Sequence, residues 1–129
     1  MIPMELPELP KKKNKREAKI TPRVMTWLKR HLNGSVAIEV KQTATNSIPA
    51  SKLLPHQRLA LLAASSAEGL AHKLTDESRR RQPFDAFILK GASAYVVACF
   101  TGNKVCLVIP ISEWRGATPE TPAAFRIPI

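Results

Sequence analysis

Acidic residues are scarce in this chain, which has ten Asp and Glu against 20 Lys and Arg and a net charge of +10. Such a balance favours a polyanionic partner, nucleic acid first and an anionic membrane second. A merely soluble basic protein remains the alternative. Because Asp occurs only at positions 76 and 85, each acid in an ordered segment needs a physical reason.

Long apolar runs are also missing, since no stretch approaches the 18 residues that a membrane span needs. The N-terminus has prolines and charges where a secretory signal would have an apolar segment. Aromatic residues make up 5% of the chain, which argues against a platform for stacking single-stranded bases. Phosphate-binding Gly-rich loops, zinc-ligand spacing and a Ser-His-Asp order are absent, which argues against nucleotide hydrolysis, zinc fingers and acyl transfer.

The chain has two cysteines, Cys99 and Cys106, and both lie in apolar runs typical of strands. We predict that they are reduced core residues of a cytoplasmic protein, with a disulfide as the alternative. Their spacing without clustered His makes a poor metal site.

Composition divides the chain into three parts. Residues 1–13 predict a flexible arm rich in proline and lysine, 14–111 a single domain, and 112–129 an irregular proline-containing tail. A basic run at the end of the arm is expected to contact phosphates, through Lys11, Lys12, Lys13, Lys15 and Arg16.

The periodicity predicts an α+β fold, with a central mixed, mostly antiparallel sheet flanked by two helices. The first helix is expected to start at Thr21-Pro22 and the second at Pro55. A strand over 35–42 lies between them. Strand-like segments follow at 70–76, 84–90, 94–100 and 104–111, and short turns predict that the last three form an antiparallel meander.

The strand "SVAIEVK" places two charges on one face, because side chains alternate along a strand. Val36, Ile38 and Val40 point one way, and Glu39 and Lys41 point the other. We expect this strand to be central, since both helices need a surface to pack on. A buried carboxylate is costly unless it is paired or binds a metal. An ordinary Glu–Lys pair on a half-exposed face is the alternative.

Four further residues are candidates for the same site. Asp85 opens a strand between two aromatic residues, although it could simply cap a turn. His56 and Gln57 lie at the start of the second helix, where Gln57 shares a face with small apolar residues that should pack on the sheet. Glu17 lies in the basic segment, where it could be a solvated charge. Two carboxylates and a lysine are what metal-assisted phosphodiester hydrolysis requires, because hard oxygens bind Mg²⁺ and the metal activates water.

The Glu-x-Lys of "AIEVK" resembles the half-motif of the PD-(D/E)XK nuclease superfamily, which has a restriction-endonuclease-like core. The wider pattern is similar to small phage and prophage proteins of the Holliday-junction-resolvase type, over about residues 16–111. Its pieces are "EAKIT", "AIEVK", "SIP", "HQ", "HKLTD", "PFDAF" and "AYVV". The resemblance implies a metal-dependent, structure-selective DNA endonuclease that cuts branched or duplex DNA as a homodimer in the bacterial cytoplasm. The apolar strand 104–111 is a candidate dimer face.

The resemblance also implies roles for the candidate residues. Glu39 and Asp85 would bind Mg²⁺ or Mn²⁺, with Glu17 as an additional or outer ligand. Lys41 would contact the attacking water and the scissile phosphate. Gln57 would orient the water or the backbone, with His56 in support.

The chain departs from the superfamily pattern in one respect, because no Asp precedes Glu39. We infer that Asp85 takes that role from a strand paired beside 35–42, with Asp76 in reserve. The neighbouring run Arg79, Arg80 and Arg81 would contact phosphates. A non-catalytic nucleic-acid-binding protein on the same scaffold and a phage assembly protein with a basic arm are the alternative functions.

Overall fold

A computed structural model of the chain describes residues 11–74 and 84–129, and for 11–19 it describes the backbone alone. The elements in chain order are α1 (Lys11–His31), β1 (Val36–Thr43), α2 (Pro55–Ser65), β2 (Leu70–Lys73), β3 (Ala86–Leu89), β4 (Ser93–Phe100), β5 (Val105–Pro110) and β6 (Phe125–Pro128). These elements confirm the predicted class, α+β with a mixed sheet and two helices.

The main sheet has four strands in the order β1-β4-β5-β6. β1 runs parallel to β4, and the other neighbours are antiparallel. The prediction that β1 is central is wrong, because β1 is an edge strand. β4 lies inside the sheet instead, and its residues 96–100 are all buried. A strand covered on both faces needs the continuous apolar run that β4 has and β1, with its two charges, lacks.

β2 and β3 form a separate two-stranded antiparallel sheet. The predicted meander is therefore wrong at its first link and right for β4 and β5. The turn between β3 and β4 explains the difference: the backbone N–H groups of Gly91 and Ala92 donate to Ser66 and Ala64 at the end of α2. These bonds return the chain to α2, so that β3 does not pair with β4.

Each helix covers one face of the main sheet. On one face, α1 packs in a cluster made of Ile20, Val24, Leu28, Val40, Val97, Cys99, Cys106, Val108 and Ile127. On the other face, α2 packs in a cluster that includes Ile48, Leu53, Leu61, Val96, Ala98, Phe100, Leu107, Ile109, Trp114 and Ala117. The sheet is thus the middle layer of three, with one helix on each of its faces.

α1 starts earlier than predicted. The helix begins at Lys11 and contains Pro22, so both the start at Thr21 and an arm extending to residue 13 are wrong. Lys, Arg, Glu and Ala dominate the segment before Pro22, and these residues favour helix strongly enough to continue it upstream. Residues 1–10 of the predicted arm lie outside the described residues.

The C-terminal segment is ordered, and the prediction of an irregular tail over 112–129 is wrong. β6 pairs with β5, and Trp114 is 2% exposed with its indole Nε1 donating to the carbonyl of Ala50 at 3.1 Å. Pro128 is tolerated because it ends an edge strand. β5 lies inside the sheet between β4 and β6, so it offers no free edge for a dimer.

Cys99 and Cys106 form a disulfide, and the prediction of reduced cysteines is wrong. The two residues face each other across the antiparallel ladder of β4 and β5, with their Cα atoms 4.0 Å apart. The register of β4 and β5 could not be predicted from the sequence, so the proximity of the two cysteines could not be predicted either.

Neither helix in the described part of the chain combines the length and apolar character that crossing a bilayer demands.

Candidate functional site

Glu39 and Lys41 lie on the face of β1 that α2 covers. Val40 packs into the cluster under α1, whereas Glu39 and Lys41 are opposite Val96 and Ala98 of β4, which belong to the cluster under α2. The predicted alternation of side chains along β1 is therefore correct. The Lys41 side chain is 11% exposed and that of Glu39 is 32% exposed, so the lysine is the more deeply buried of the two.

The two charges contact each other directly. Lys41 Nζ lies 3.4 Å from Glu39 Oε2, which is the only ion pair among the residues that the structure describes. Because a buried ammonium is costly without a partner, this contact accounts for the presence of Lys41 on the covered face.

Gln57 joins the pair from the start of α2. Its side-chain Oε1 accepts a hydrogen bond from the backbone N–H of Leu54 at 3.0 Å, and its Nε2 donates to Glu39 Oε2 at 3.1 Å. The first bond orients the amide, so its N–H group points at the carboxylate. Both contacts to Glu39 use Oε2, and Oε1 has no hydrogen bond to any described residue.

A cleft of about 590 Å³ opens over this site, between β1, α2 and the β2–β3 hairpin. Its apolar lining comes from Val36, Ala37, Ile38, Ala60, Leu61, Ala64, Leu70, Phe87 and Leu89, and its polar lining from Glu39, His56 and Gln57. Polar groups that converge in an apolar cleft are typical of a binding or catalytic site. The sequence analysis missed Phe87 and Leu89, although their alternation with Ile88 was a usable signal.

His56 lies at the rim of the cleft with an exposed side chain. It precedes Gln57 in the first turn of α2, which Pro55 opens. The structure thus brings together four of the six predicted site residues, namely Glu39, Lys41, Gln57 and His56.

Asp85 is the exception among the described candidates. The inference that its strand pairs beside β1 is wrong, because β3 pairs only with β2 and β1 is bonded to β4. Asp85 is exposed and does not line the cleft. Its backbone carbonyl accepts from the N–H of Leu74, which extends the hairpin ladder by one step. Asp85 thus directly precedes β3, the strand that supplies Phe87 and Leu89 to the cleft.

The remaining candidates are not tested by side-chain geometry. Glu17 and the basic residues Lys11, Lys12, Lys13, Lys15 and Arg16 belong to the part of α1 whose side chains are not described. Asp76, Arg79, Arg80 and Arg81 lie outside the described residues.

The metal-binding potential of the site rests on Glu39. No group of three or more His, Cys, Asp or Glu side chains occurs within the described ranges. Mg²⁺ is commonly held by one or two carboxylates together with water and substrate phosphates. Glu39 supplies one such carboxylate, with Oε1 open, so the described residues fit part of a magnesium site and require a second acid or the substrate to complete it.

Gln42 is a further polar residue that the sequence analysis overlooked. It follows Lys41 on β1, and its side-chain Oε1 is buried without a hydrogen-bond partner among the described residues. It belongs to the opposite strand face from Glu39, so it is not part of the cleft.

Comparison of the chain with protein-family models, with curated proteins and with solved structures finds no match.

Proposed function

We propose that this protein is a metal-dependent DNA endonuclease of the PD-(D/E)XK type, selective for branched DNA in the manner of a Holliday-junction resolvase. The observation that carries the proposal is that Glu39, which contacts both Lys41 and Gln57, lines a cleft together with Gln57. An ordinary ion pair on the surface would require neither a hydrogen bond from Gln57 nor an adjoining cleft. The net charge of +10 suits a DNA substrate.

Each residue of the site has a distinct task in this proposal. Glu39 would hold the cation through its carboxylate, and Gln57 keeps that carboxylate in one orientation. Bound Mg²⁺ or Mn²⁺ would supply Lewis acidity toward the phosphate and its attacking water. The Lys41 ammonium contacts that water and offsets the negative charge that develops on the phosphate oxygens during attack.

Asp85 is the proposed second acid. It directly precedes β3, the strand that supplies Phe87 and Leu89 to the cleft, and this position in the chain supports the assignment. Glu17 and Asp76 are the other candidates for an additional ligand. His56, at the rim, would contact the backbone of the bound DNA. A homodimer, which would allow symmetric cleavage of two strands, is part of the proposal.

The test is cleavage of a labelled four-way junction and of its matching linear duplex, with Mg²⁺, Mn²⁺ or EDTA. Lys41→Ala and Asp85→Ala are compared with Lys52→Ala and Glu68→Ala, which remove exposed charges away from the cleft. We expect metal-dependent cutting in the wild type and in both controls, and a loss of at least about 100-fold in the two site variants.

Two results would contradict this proposal. Cutting by Lys41→Ala at the wild-type rate would remove Lys41 from the chemistry. Tight junction binding without cutting under any metal would favour a non-catalytic nucleic-acid-binding protein. That second function is supported by one observation: among the described residues, Glu39 is the only carboxylate that lines the cleft, and its partner Lys41 neutralises it.

A further inference from the structure

α1 concentrates much of the positive charge of the chain. Its 21 residues contain nine Lys and Arg and a single Glu. Ile20, Val24 and Leu28 turn one side of the helix toward the sheet. Among the cations of α1 whose side chains are described, Arg23, Lys29 and Arg30 are all exposed on the sides turned away from the core.

Five of these cations fall on one line along the helix. Lys12, Arg16, Lys19, Arg23 and Arg30 follow one another at intervals of three, four or seven residues. At 3.6 residues per turn, such intervals return to the same side of a helix. We call this line the basic stripe. From residue 12 to residue 30 it extends about 27 Å, the length of about eight base pairs of duplex DNA.

The described half of the stripe is exposed and has no acidic partner among the described residues. Arg23 and Arg30 are both exposed, and the only described ion pair is the one at Lys41. Both arginines line a shallow pocket of about 390 Å³ formed with the end of β6. Two exposed guanidinium groups, neither paired with a described acid, thus lie on this side of α1.

An aromatic stack fixes the surface between the two arginines. The rings of Trp27 and His31 are stacked with centroids 4.0 Å apart, and Trp27 also packs on Phe125 of β6 at 5.5 Å. His31 Nδ1 is hydrogen-bonded to the carbonyl of Trp27 at 2.8 Å. The stack packs the part of α1 that carries Arg23 and Arg30 against β6 of the sheet.

We propose that the basic stripe binds the phosphate backbone of a DNA duplex. The stripe lies on the flank of α1 near β6, whereas the cleft at Glu39 lies between β1 and α2 on the other face of the sheet. A duplex bound to the stripe is consequently separate from the DNA strand bound at the cleft. Binding at the stripe does not depend on cleavage. Two separate contact surfaces suit a branched substrate, because it has more than one duplex arm.

Nucleic acid fits this surface better than a lipid membrane does. A helix that lies in a membrane interface turns an apolar side toward the acyl chains, but α1 uses its apolar side in the core. Met25, the exposed large apolar residue of α1, lines the groove beside β1 on the opposite flank from the stripe. Charge without exposed apolar side chains is the pattern that phosphate contacts require.

The experiment measures binding of the full chain to a fluorescent four-way junction and duplex in EDTA, at salt from about 50 mM to about 0.3 M. Arg23→Gln, Arg30→Gln and the double variant are compared with Lys29→Gln. Lys29 is next to Arg30 and is also exposed, but it lines the groove on the other flank. The control therefore removes the same charge from the same turn of the helix.

Each arginine variant should reduce the slope of log affinity against log salt by about one, and affinity at 0.1 M salt by about eight-fold. In the double variant the same slope should fall by about two, and the slope of Lys29→Gln should match that of the wild type. Trp27 gives a local signal, because the other tryptophan is buried. Bound DNA should protect Trp27 from iodide quenching.

Three outcomes would overturn the proposal. One is an unchanged slope in the double variant, and another is an equal loss in Lys29→Gln. The third is binding to anionic phosphatidylglycerol vesicles that needs Arg23 and Arg30 while DNA binding does not. Since EDTA prevents metal-dependent cutting, a failure of the proposed nuclease activity would leave these binding results unaffected.

Discussion

Gln57 gives the candidate site its definite geometry. A lysine and a glutamate two residues apart on a strand could sample many arrangements, but one amide group connects Glu39 to the first turn of α2. The same side chain accepts from the N–H of Leu54, which would otherwise be free at the start of a helix. One residue thus stabilises the helix end and orients the carboxylate.

Replacing Gln57 with Leu should therefore separate positioning from binding. We expect Gln57→Leu to reduce metal-dependent cleavage by about 10- to 100-fold and the free energy of unfolding by about 1 kcal/mol, with junction affinity in EDTA unchanged. Cleavage assays, chemical denaturation and the binding assay measure the three quantities.

The matched control is Gln42→Leu, the same change on the opposite face of β1. Because the Gln42 side-chain oxygen is buried without a partner among the described residues, its removal should leave cleavage unchanged and stability unchanged or higher. Equal cleavage by Gln57→Leu and the wild type would remove the positioning role.

At the scale of the elements, β1 does not take the central place that was expected of it. β1 carries two charges and lies at the edge, where Glu39 can reach a cleft, while the uncharged β4 lies inside the sheet. At the edge, water reaches one side of the Glu39 carboxylate, so its desolvation costs less than it would inside the sheet. β6 completes the other edge and covers the α1-side cluster with Ile127.

The contribution of β6 to stability can be measured with one substitution. Ile127 is 3% exposed, so Ile127→Ala should lower the free energy of unfolding by about 2–4 kcal/mol in guanidinium denaturation. Ile88→Ala is the control, since Ile88 is 70% exposed on β3 and should change stability by less than about 0.5 kcal/mol. Similar values for the two variants would mean that β6 does not dock on the sheet.

At the scale of the whole molecule, two apolar clusters hold the three layers together. The disulfide lies inside the cluster under α1, with Cys99 and Cys106 both fully buried. It joins β4 and β5, the two interior strands of the sheet. In the unfolded chain the same bond closes a loop and so lowers its conformational entropy.

Loss of this disulfide should lower the stability of the whole domain. Closing a loop over a sequence separation of 7 residues is worth about 2–3 kcal/mol in the chain-entropy treatment. We expect Cys99→Ala/Cys106→Ala, or the wild type in dithiothreitol, to unfold at lower denaturant concentration. The oxidised protein should show no reactive thiol after denaturation; two reactive thiols in that state would contradict the disulfide.

Much of the fold follows from local patterns. The alternation of "VAIEVK" was enough to place Glu39 and Lys41 on one strand face, and Pro55 with the apolar spacing after it was enough to locate α2. The continuous run "AYVVACF" contained the signal for a strand covered on both sides, although the central place was predicted for β1. These features depend on neighbours a few residues apart, which is the range over which periodicity carries information.

The site itself depends on contacts that no local pattern encodes. Gln57 meets Glu39 across 18 positions of sequence, the hairpin of β2 and β3 leaves Asp85 beyond the cleft, and Cys99 meets Cys106 through the register of two strands. Strand order and register follow from which apolar surfaces bury best against each other, and that is a property of the assembled layers. Residue types and their faces could therefore be read from the chain, while the partners of those residues required the tertiary structure.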